Sequence, residues 1–212
     1  MACTNLGRKI GNMKSICVYC GSSPGRQPVY LQAARQLGEA IAARGLKLVY
    51  GGASVGLMGE VARAALEKGG KVAGVIPRAL ADQEVAFLDL DDLHVVETMH
   101  ERKAMMAELS DGFITLPGGM GTLEEFFEVL TWAQLGIHRK PCGLLNIQGY
   151  FDQMLQFLEH AASEDFIWRA HCDLILTDEN PDGLLDRFMN YQPPVANKAD
   201  WVLRMSNKRK SV

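Results

Sequence analysis

The residues best suited to chemistry in this sequence lie in the stretch 111–125, which reads D-G-F-I-T-L-P-G-G-M-G-T-L-E-E. The apolar run at 113–116 predicts a buried strand, and P-G-G at 117–119 predicts the turn that ends it. Thr122 and Glu125 have the spacing of a capping box, which predicts a helix beginning at Thr122. Glycines let a backbone approach a ligand, and the N–H groups of a helix start favour an anion. The stretch therefore predicts a site for a nucleotide or sugar phosphate, although the same pattern also occurs with Glu125 acting only as a cap.

Two further turns rich in small residues follow predicted strands. The strand at 15–20 leads into G-S-S-P-G at 21–25, where Ser22 offers a hydroxyl group and a backbone donor. The strand at 46–50 leads into G-G-A-S-V-G-L-M-G at 51–59, which includes Gly52. This second turn is neither G-x-G-x-x-G nor a Walker A loop, because Leu57 stands where the phosphate-binding lysine is required. An ATPase and a G-x-G-x-x-G dinucleotide site are therefore disfavoured.

Arg102 lies on the apolar side of the helix predicted after Thr98. The apolar residues Met105, Met106 and Leu109 follow it at spacings that place them on one helix face. A guanidinium on that face needs a partner, either a structural carboxylate or a ligand phosphate or ribose. Because Arg102 lies near the helix start, we expect it at the same sheet edge as the glycine turns, where open α/β sheets bind ligands.

Strands and helices alternate along the chain at the spacing of βα units. The predicted strands are 15–20, 46–50, 71–77, 94–97, 113–116, 141–147 and 173–177. This alternation predicts a Rossmann-like, doubly wound α/β fold with a mainly parallel sheet of about seven strands and helices on both faces. We expect one domain over residues 13–192, with flexible tails at 1–12 and 193–212.

The composition narrows the range of functions. A net charge of −3 and a pI near 6.0 offer no general basic surface for nucleic acid or an anionic membrane, so any phosphate recognition must be local. No apolar run approaches the ~20 residues of a membrane span and no secretory signal precedes the first strand, which predicts a cytoplasmic protein. The five cysteines are odd in number and scattered, and the five histidines form no H-x-x-x-H pair. We therefore expect no disulfide framework, no metal and no cofactor.

Five stretches together resemble the LONELY GUY family, the cytokinin riboside 5'-monophosphate phosphoribohydrolases. They are C-G-S-S at 20–23, G-G-x-x-x-G-L-M-G at 51–59, M-H-E-R-K at 99–103, P-G-G-M-G-T-L-E-E at 117–125 and T-W-A-Q-L-G at 131–136. The resemblance implies a homodimer that hydrolyses the N-glycosidic bond of AMP-type nucleotides to give free base and ribose 5-phosphate. The expected partner is thus a small nucleotide 5'-monophosphate. An older lysine decarboxylase label for such proteins is set aside, because nothing in the sequence is typical of a Schiff-base lysine site.

The resemblance also implies the residues of the site. Arg102 and Glu125 match the family's paired functional residues and are the expected catalytic pair. The residues expected to contact the nucleotide, from the resemblance and the small-residue turns together, are Ser22, Gly52, Glu84, Lys103, Gly118, Gly119, Met120, Gly121, Thr122 and Thr131. Bond cleavage places positive charge on the ribose, so a carboxylate near C1′ stabilises the transition state. Arg102 could hold Glu125 ionised, bind the phosphate, or both; the acid that protonates the leaving base stays unassigned.

Two other functions remain open at this point. One is a general AMP nucleosidase without preference for a substituted N6 position, because the N6 pocket would be lined by apolar residues that no motif marks. The other is a nucleotide-binding module without catalysis. Such a module would have no need of a carboxylate beside ribose C1′, so the pair Arg102 and Glu125 favours an enzyme.

Overall fold

The computed structural model describes residues 13–81, 86–88 and 90–194. Its seven strands form one sheet in which every pairing is parallel. The strands are β1 (Ser15–Tyr19), β2 (Lys47–Tyr50), β3 (Val72–Pro77), β4 (Asp92–Val96), β5 (Phe113–Thr115), β6 (Cys142–Leu145) and β7 (Ile175–Asp178). Each strand overlaps one that the sequence predicted, because short apolar runs between turn residues carry a strong local signal.

Helices cover both faces of this sheet. They are α1 (Pro28–Ala43), α2 (Gly56–Glu67), α3 (Arg78–Leu80), α4 (Met99–Glu108), α5 (Met120–Gln134), α6 (Asp152–Ser163), α7 (Arg169–Cys172) and α8 (Pro181–Met189), with a 3-10 turn at Ile147–Gly149. Apolar residues of α1, α2 and α8 form one core with β1, β2 and β5. Residues of α4 and α5 form a second core with the opposite face of the same strands. The doubly wound α/β fold is therefore confirmed.

The strand order places the glycine turns together. The order is β4-β3-β2-β1-β5-β6-β7, so the chain builds outward from β1 to one edge and then restarts beside β1 with β5. In such sheets a crevice opens at the carboxyl ends of the two strands where the direction of winding reverses. The turns after β1 and β5 meet there, since the Gly21 N–H donates to the Pro117 carbonyl at 3.2 Å.

The start of α5 differs from the sequence-based expectation. The helix begins at Met120 with Gly119 as its N-cap residue, and the described residues provide no side-chain cap. The predicted capping box of Thr122 and Glu125 is therefore wrong, because Gly119 takes an extended backbone and lets the helix begin earlier. Thr122 then lies inside the first turn, and Glu125 is free to pair elsewhere. A complete capping box instead lies at Thr98 and Glu101, at the start of α4.

Some predictions fall on residues outside the described ranges. These are the contact residue Glu84, the tail 1–12 and most of the tail 193–212. Within the described ranges, every helix is too short or too polar to cross a lipid bilayer.

Candidate functional site

Arg102 and Glu125 form a buried ion pair at the carboxyl edge of the sheet. The Arg102 Nη1 atom donates to the Glu125 Oε1 atom at 2.6 Å, and each residue is only 7% exposed. The Arg102 Nε–H also donates to the Val75 carbonyl of β3 at 3.1 Å. The buried guanidinium therefore has a carboxylate as its partner, and that carboxylate belongs to a residue of α5 that lies 23 positions further along the chain.

The helix starts explain why these two side chains meet. The capping box of Thr98 and Glu101 fixes the first turn of α4. Arg102 follows directly after Glu101 and lies on the helix face that packs against β3. Glu125 lies in the second turn of α5, on the side that its neighbour Phe126 buries against the sheet. Since α4 and α5 cover the same face of the sheet, the two side chains approach each other across the ends of the central strands.

The burial of Glu125 sets its electrostatics. Desolvation raises the pKa of Glu125 above its ordinary value, while the Arg102 guanidinium acts in the opposite direction. Nearby, burial also raises the pKa of the Cys20 thiol and the pKa of the Tyr19 phenol, so both groups stay neutral at neutral pH. The guanidinium carries a permanent positive charge, so the ion pair favours the ionised form of the Glu125 carboxylate and opposes the effect of burial.

A cavity of about 520 Å³ opens beside this ion pair. The predicted site residues that line it are Ser22, Arg102, Gly119, Met120, Gly121, Thr122 and Glu125. The remaining lining residues are Val18, Tyr19, Cys20, Gly21, Gly51, Ala53, Val55, Met58, Ile76, Leu80, Met99, Met106 and Glu124. The cavity is thus polar at the turn after β1, at the start of α5 and at the ion pair, and apolar at Met58 of α2, Leu80 of α3 and Met99 of α4. Its volume is in the range of small-ligand sites.

Two of the predicted glycines support the site from outside the cavity lining. Gly118 lies so close to the Thr122 side chain that a Cβ atom would overlap the Thr122 hydroxyl and would approach the Gly21 nitrogen to 2.9 Å. Gly52 has a φ of 76° and packs its Cα side against Ile76 of β3. Both glycines therefore allow turns to pack tightly. Gly52 itself does not line the cavity, but its neighbours Gly51 and Ala53 do.

Two further predicted contact residues lie away from the cavity walls in this chain. The Lys103 ammonium donates to Glu124 at 2.5 Å and to Glu128 at 3.0 Å, which ties α4 to α5. Thr131 donates its hydroxyl to the Phe127 carbonyl and faces a separate groove between α5 and the segment of α6 and α7. Nucleotide contacts by Lys103 and Thr131 therefore stay predictions.

Several lining residues were not among the predicted contact residues, although Gly51 and Glu124 lie within motifs that the sequence analysis names. Tyr19 closes β1, Gly51 follows β2, and Glu124 precedes the predicted catalytic carboxylate. A general rule would have found them, because residues at the carboxyl ends of parallel strands and at the following helix starts share one edge. Among the residues described by the structure, no group of three histidine, cysteine or acidic side chains has the arrangement of a metal site.

Fold and site together define a Rossmann-like α/β protein with a buried arginine–carboxylate pair at the switch point of its sheet. A family model described as "Possible lysine decarboxylase" matches residues 58–188. A cytokinin riboside 5'-monophosphate phosphoribohydrolase of Rhodococcoides fascians is 54% identical over 81% of this chain and 87% of its own. Another from Arabidopsis thaliana is 47% identical over 89% of this chain and 88% of its own. The chain therefore belongs to the cytokinin riboside 5'-monophosphate phosphoribohydrolase family, and the resemblance noted in the sequence is confirmed.

Solved structures support the fold independently. A molybdenum cofactor binding protein from Rippkaea orientalis superposes with a TM-score of 0.63 over 83% of this chain and 95% of its own, at 24% identity. A molybdenum cofactor carrier protein from Chlamydomonas reinhardtii gives the same TM-score and identity over 82% of this chain and 96% of its own. At this identity the likeness concerns the fold alone.

Proposed function

We propose that this protein hydrolyses the N-glycosidic bond of N6-modified adenosine 5'-monophosphates, and of AMP, to release the free base and ribose 5-phosphate. Its family membership supports this activity, since the relatives at 54% and 47% identity are phosphoribohydrolases by name. The observation that carries the proposal is the Glu125 carboxylate, which is buried in a cavity wall and paired with Arg102.

Glu125 supplies the charge that this reaction needs. Cleavage of the bond between C1′ and N9 leaves positive charge on the ribose ring, and a fixed carboxylate beside C1′ stabilises that charge and orients the attacking water. Arg102 keeps Glu125 ionised and fixes the position of its carboxylate. The guanidinium is itself held by Val75, whose carbonyl accepts from Nε–H, while Nη1 donates to Glu125. A water oxygen then bonds to C1′ while the C1′–N9 bond breaks and its electrons leave with the base. One proton of that water is lost on attack and one proton is gained by the departing base, so the products are ribose 5-phosphate and the neutral free base.

The 5′-phosphate is assigned to the start of α5. Among the described residues, no side chain caps this helix, so the first N–H groups beside Gly119, Gly121 and Thr122 are available to an anion. Ser22 faces the same space from the turn after β1. A phosphate at this position anchors the nucleotide and leaves its ribose beside Glu125, so we expect the protein to require nucleotides and to reject nucleosides.

The base is assigned to the apolar part of the cavity. Met58, Ile76, Leu80 and Met99 line it there. These four side chains accept an apolar N6 substituent, and none of the four is a hydrogen-bonding group that reads the adenine edge. This part of the proposal separates an N6-selective enzyme from a general AMP nucleosidase.

The test is turnover of three compounds at equal concentration: N6-isopentenyl-AMP, AMP and the nucleoside N6-isopentenyladenosine. We expect free base and ribose 5-phosphate from the two nucleotides, faster from N6-isopentenyl-AMP, and negligible base from the nucleoside. Equal rates on both nucleotides would make the protein a general AMP nucleosidase. Nucleotide binding measured by calorimetry, without any base release, would leave a binding module as the better description.

We also propose that the protein acts as a homodimer in the cytoplasm. Large apolar side chains at Met120, Ile137, Phe157 and Phe166 are largely exposed in the single chain, which is typical of surfaces that a partner covers. A second copy of this chain is the partner that the family resemblance implies. The four cysteines among the described residues are free thiols, as suits a reducing compartment.

A further inference from the structure

Gly51 lies where the Arg102 side chain crosses the end of β2. It follows the last residue of that strand and lines the cavity. A Cβ atom built on Gly51 would overlap the Arg102 Nη2 atom and would approach the Met58 sulfur to 2.9 Å. Gly51 does not have a positive φ, unlike its neighbour Gly52, so its backbone conformation is open to any residue. Space alone therefore restricts this position to glycine.

The Arg102 guanidinium has little freedom to move away from such a Cβ atom. Its Nε–H is held by the Val75 carbonyl and its Nη1 by Glu125, and the residue is 7% exposed. Both hydrogen bonds constrain the same planar group, so a shift that relieves Nη2 displaces Nη1 from Glu125 as well. The absence of a side chain at Gly51 and the geometry of the ion pair are thus coupled.

We propose that Gly51 is a positioning residue for the Arg102–Glu125 pair: its missing side chain provides the space in which the guanidinium crosses β2 and reaches the carboxylate. The consequence for turnover rests on the proposed function. Substitution by alanine forces Nη2 to withdraw by about 1 Å, and a misplacement of that size in a catalytic group lowers the rate by about 100-fold. Phosphate binding at α5 does not depend on this contact, so the loss falls on kcat and KM changes little.

The first experiment compares Gly51→Ala with Gly143→Ala in the full-length protein. Gly143 is a matched control, because its Cβ atom would crowd Phe188 at 2.7 Å. Phe188 belongs to the first core, whereas the ion pair lies on the other face of the sheet, which α4 and α5 cover. We expect both variants to lose stability, and only Gly51→Ala to lose about 100-fold in kcat on N6-isopentenyl-AMP. Equal kcat values for the two variants would overturn the inference. Recovery of kcat on adding Met58→Ala to Gly51→Ala would assign the crowding to Met58 and would overturn it as well.

The second experiment measures the same coupling without turnover. A double-mutant cycle by urea denaturation compares the cost of Gly51→Ala in the wild type and in Arg102→Ala. With the guanidinium removed, only the Met58 sulfur still crowds the added methyl group, so we expect a smaller cost in the Arg102→Ala background. Equal costs in both backgrounds would contradict the inference. If the wild type releases no base from any nucleotide, the proposed function fails, and this cycle still decides whether Gly51 positions Arg102.

Discussion

Glu125 is the residue on which the proposed chemistry depends. Glutamine has the same shape and keeps a hydrogen-bonding group beside Arg102, but it lacks the negative charge. We expect Glu125→Gln to lower kcat by roughly 10²–10³-fold, the loss typical of removing one preorganised electrostatic group, while nucleotide binding is retained. Base release followed by chromatography measures the first effect, and calorimetry measures the second.

Glu128→Gln is the matched control for this substitution. Glu128 lies one turn further along α5, accepts from Lys103, and is absent from the cavity walls. Its removal is expected to leave kcat close to the wild-type value. A comparable loss of kcat in both variants would show that removing either carboxylate from α5 impairs the protein, and that Glu125 has no special role.

The pH profile reports on the same carboxylate. Burial raises the pKa of Glu125, with Glu124 acting in the same direction and Arg102 and Lys103 acting against it. Because the ionised form is the active one, kcat/KM is expected to fall as the pH drops through a pKa above the ~4.3 of an exposed glutamate. Rates measured from acid to neutral pH, with circular dichroism to confirm folding at each point, provide the test. A limb at or below the ordinary glutamate value would argue against Glu125 as the titrating group.

At the scale of elements, the turn between β5 and α5 determines where the helix start lies. Gly118 packs against Thr122 and Gly21, whereas a Cβ atom on Gly121 would meet nothing within 4 Å. Gly118→Ala is therefore expected to lower the free energy of unfolding by about 1–3 kcal/mol through overpacking. Gly121→Ala lies inside the helix, and we expect no loss or a gain of up to about 1 kcal/mol.

Urea denaturation of both variants measures this difference. The pair is informative because the two substitutions add the same methyl group within one short motif. Equal destabilisation by both substitutions would mean that the close contacts of Gly118 do not account for its sensitivity to an added methyl group. A stable Gly118→Ala variant would contradict the packing seen between the turns after β1 and β5.

At the scale of the whole molecule, the proposed homodimer has a direct test. Light scattering coupled to size-exclusion chromatography is expected to give about twice the chain mass of 23.3 kDa. Dilution to the concentration used for turnover checks that the dimer persists under assay conditions. A mass of one chain at all concentrations would leave the exposed apolar residues, including Ile137 and Phe166, without the partner that the proposal assigns to them.

Much of the fold and part of the candidate site could be predicted from the sequence. Strand positions, the glycine turns and the inward direction of Arg102 depend on neighbours within about one or two helical turns, so they are visible as local patterns. The end of α5 has a local signal of the same kind, since Gly136 follows it with a φ of 75°. The start of α5 was predicted wrongly, because Thr122 and Glu125 satisfy the spacing of a capping box while tertiary contacts assign them other neighbours.

The sequence by itself therefore determined the elements, the family and the residue types available for catalysis, because each of these depends on short-range order. Only the tertiary structure decided the strand order that brings the turns after β1 and β5 together, and the pairing of Arg102 with Glu125. It likewise directed Lys103 to Glu124 and Glu128, and turned Thr131 away from the cavity. These outcomes depend on which helix faces meet across the sheet, and contacts between distant segments leave no periodic mark on the chain.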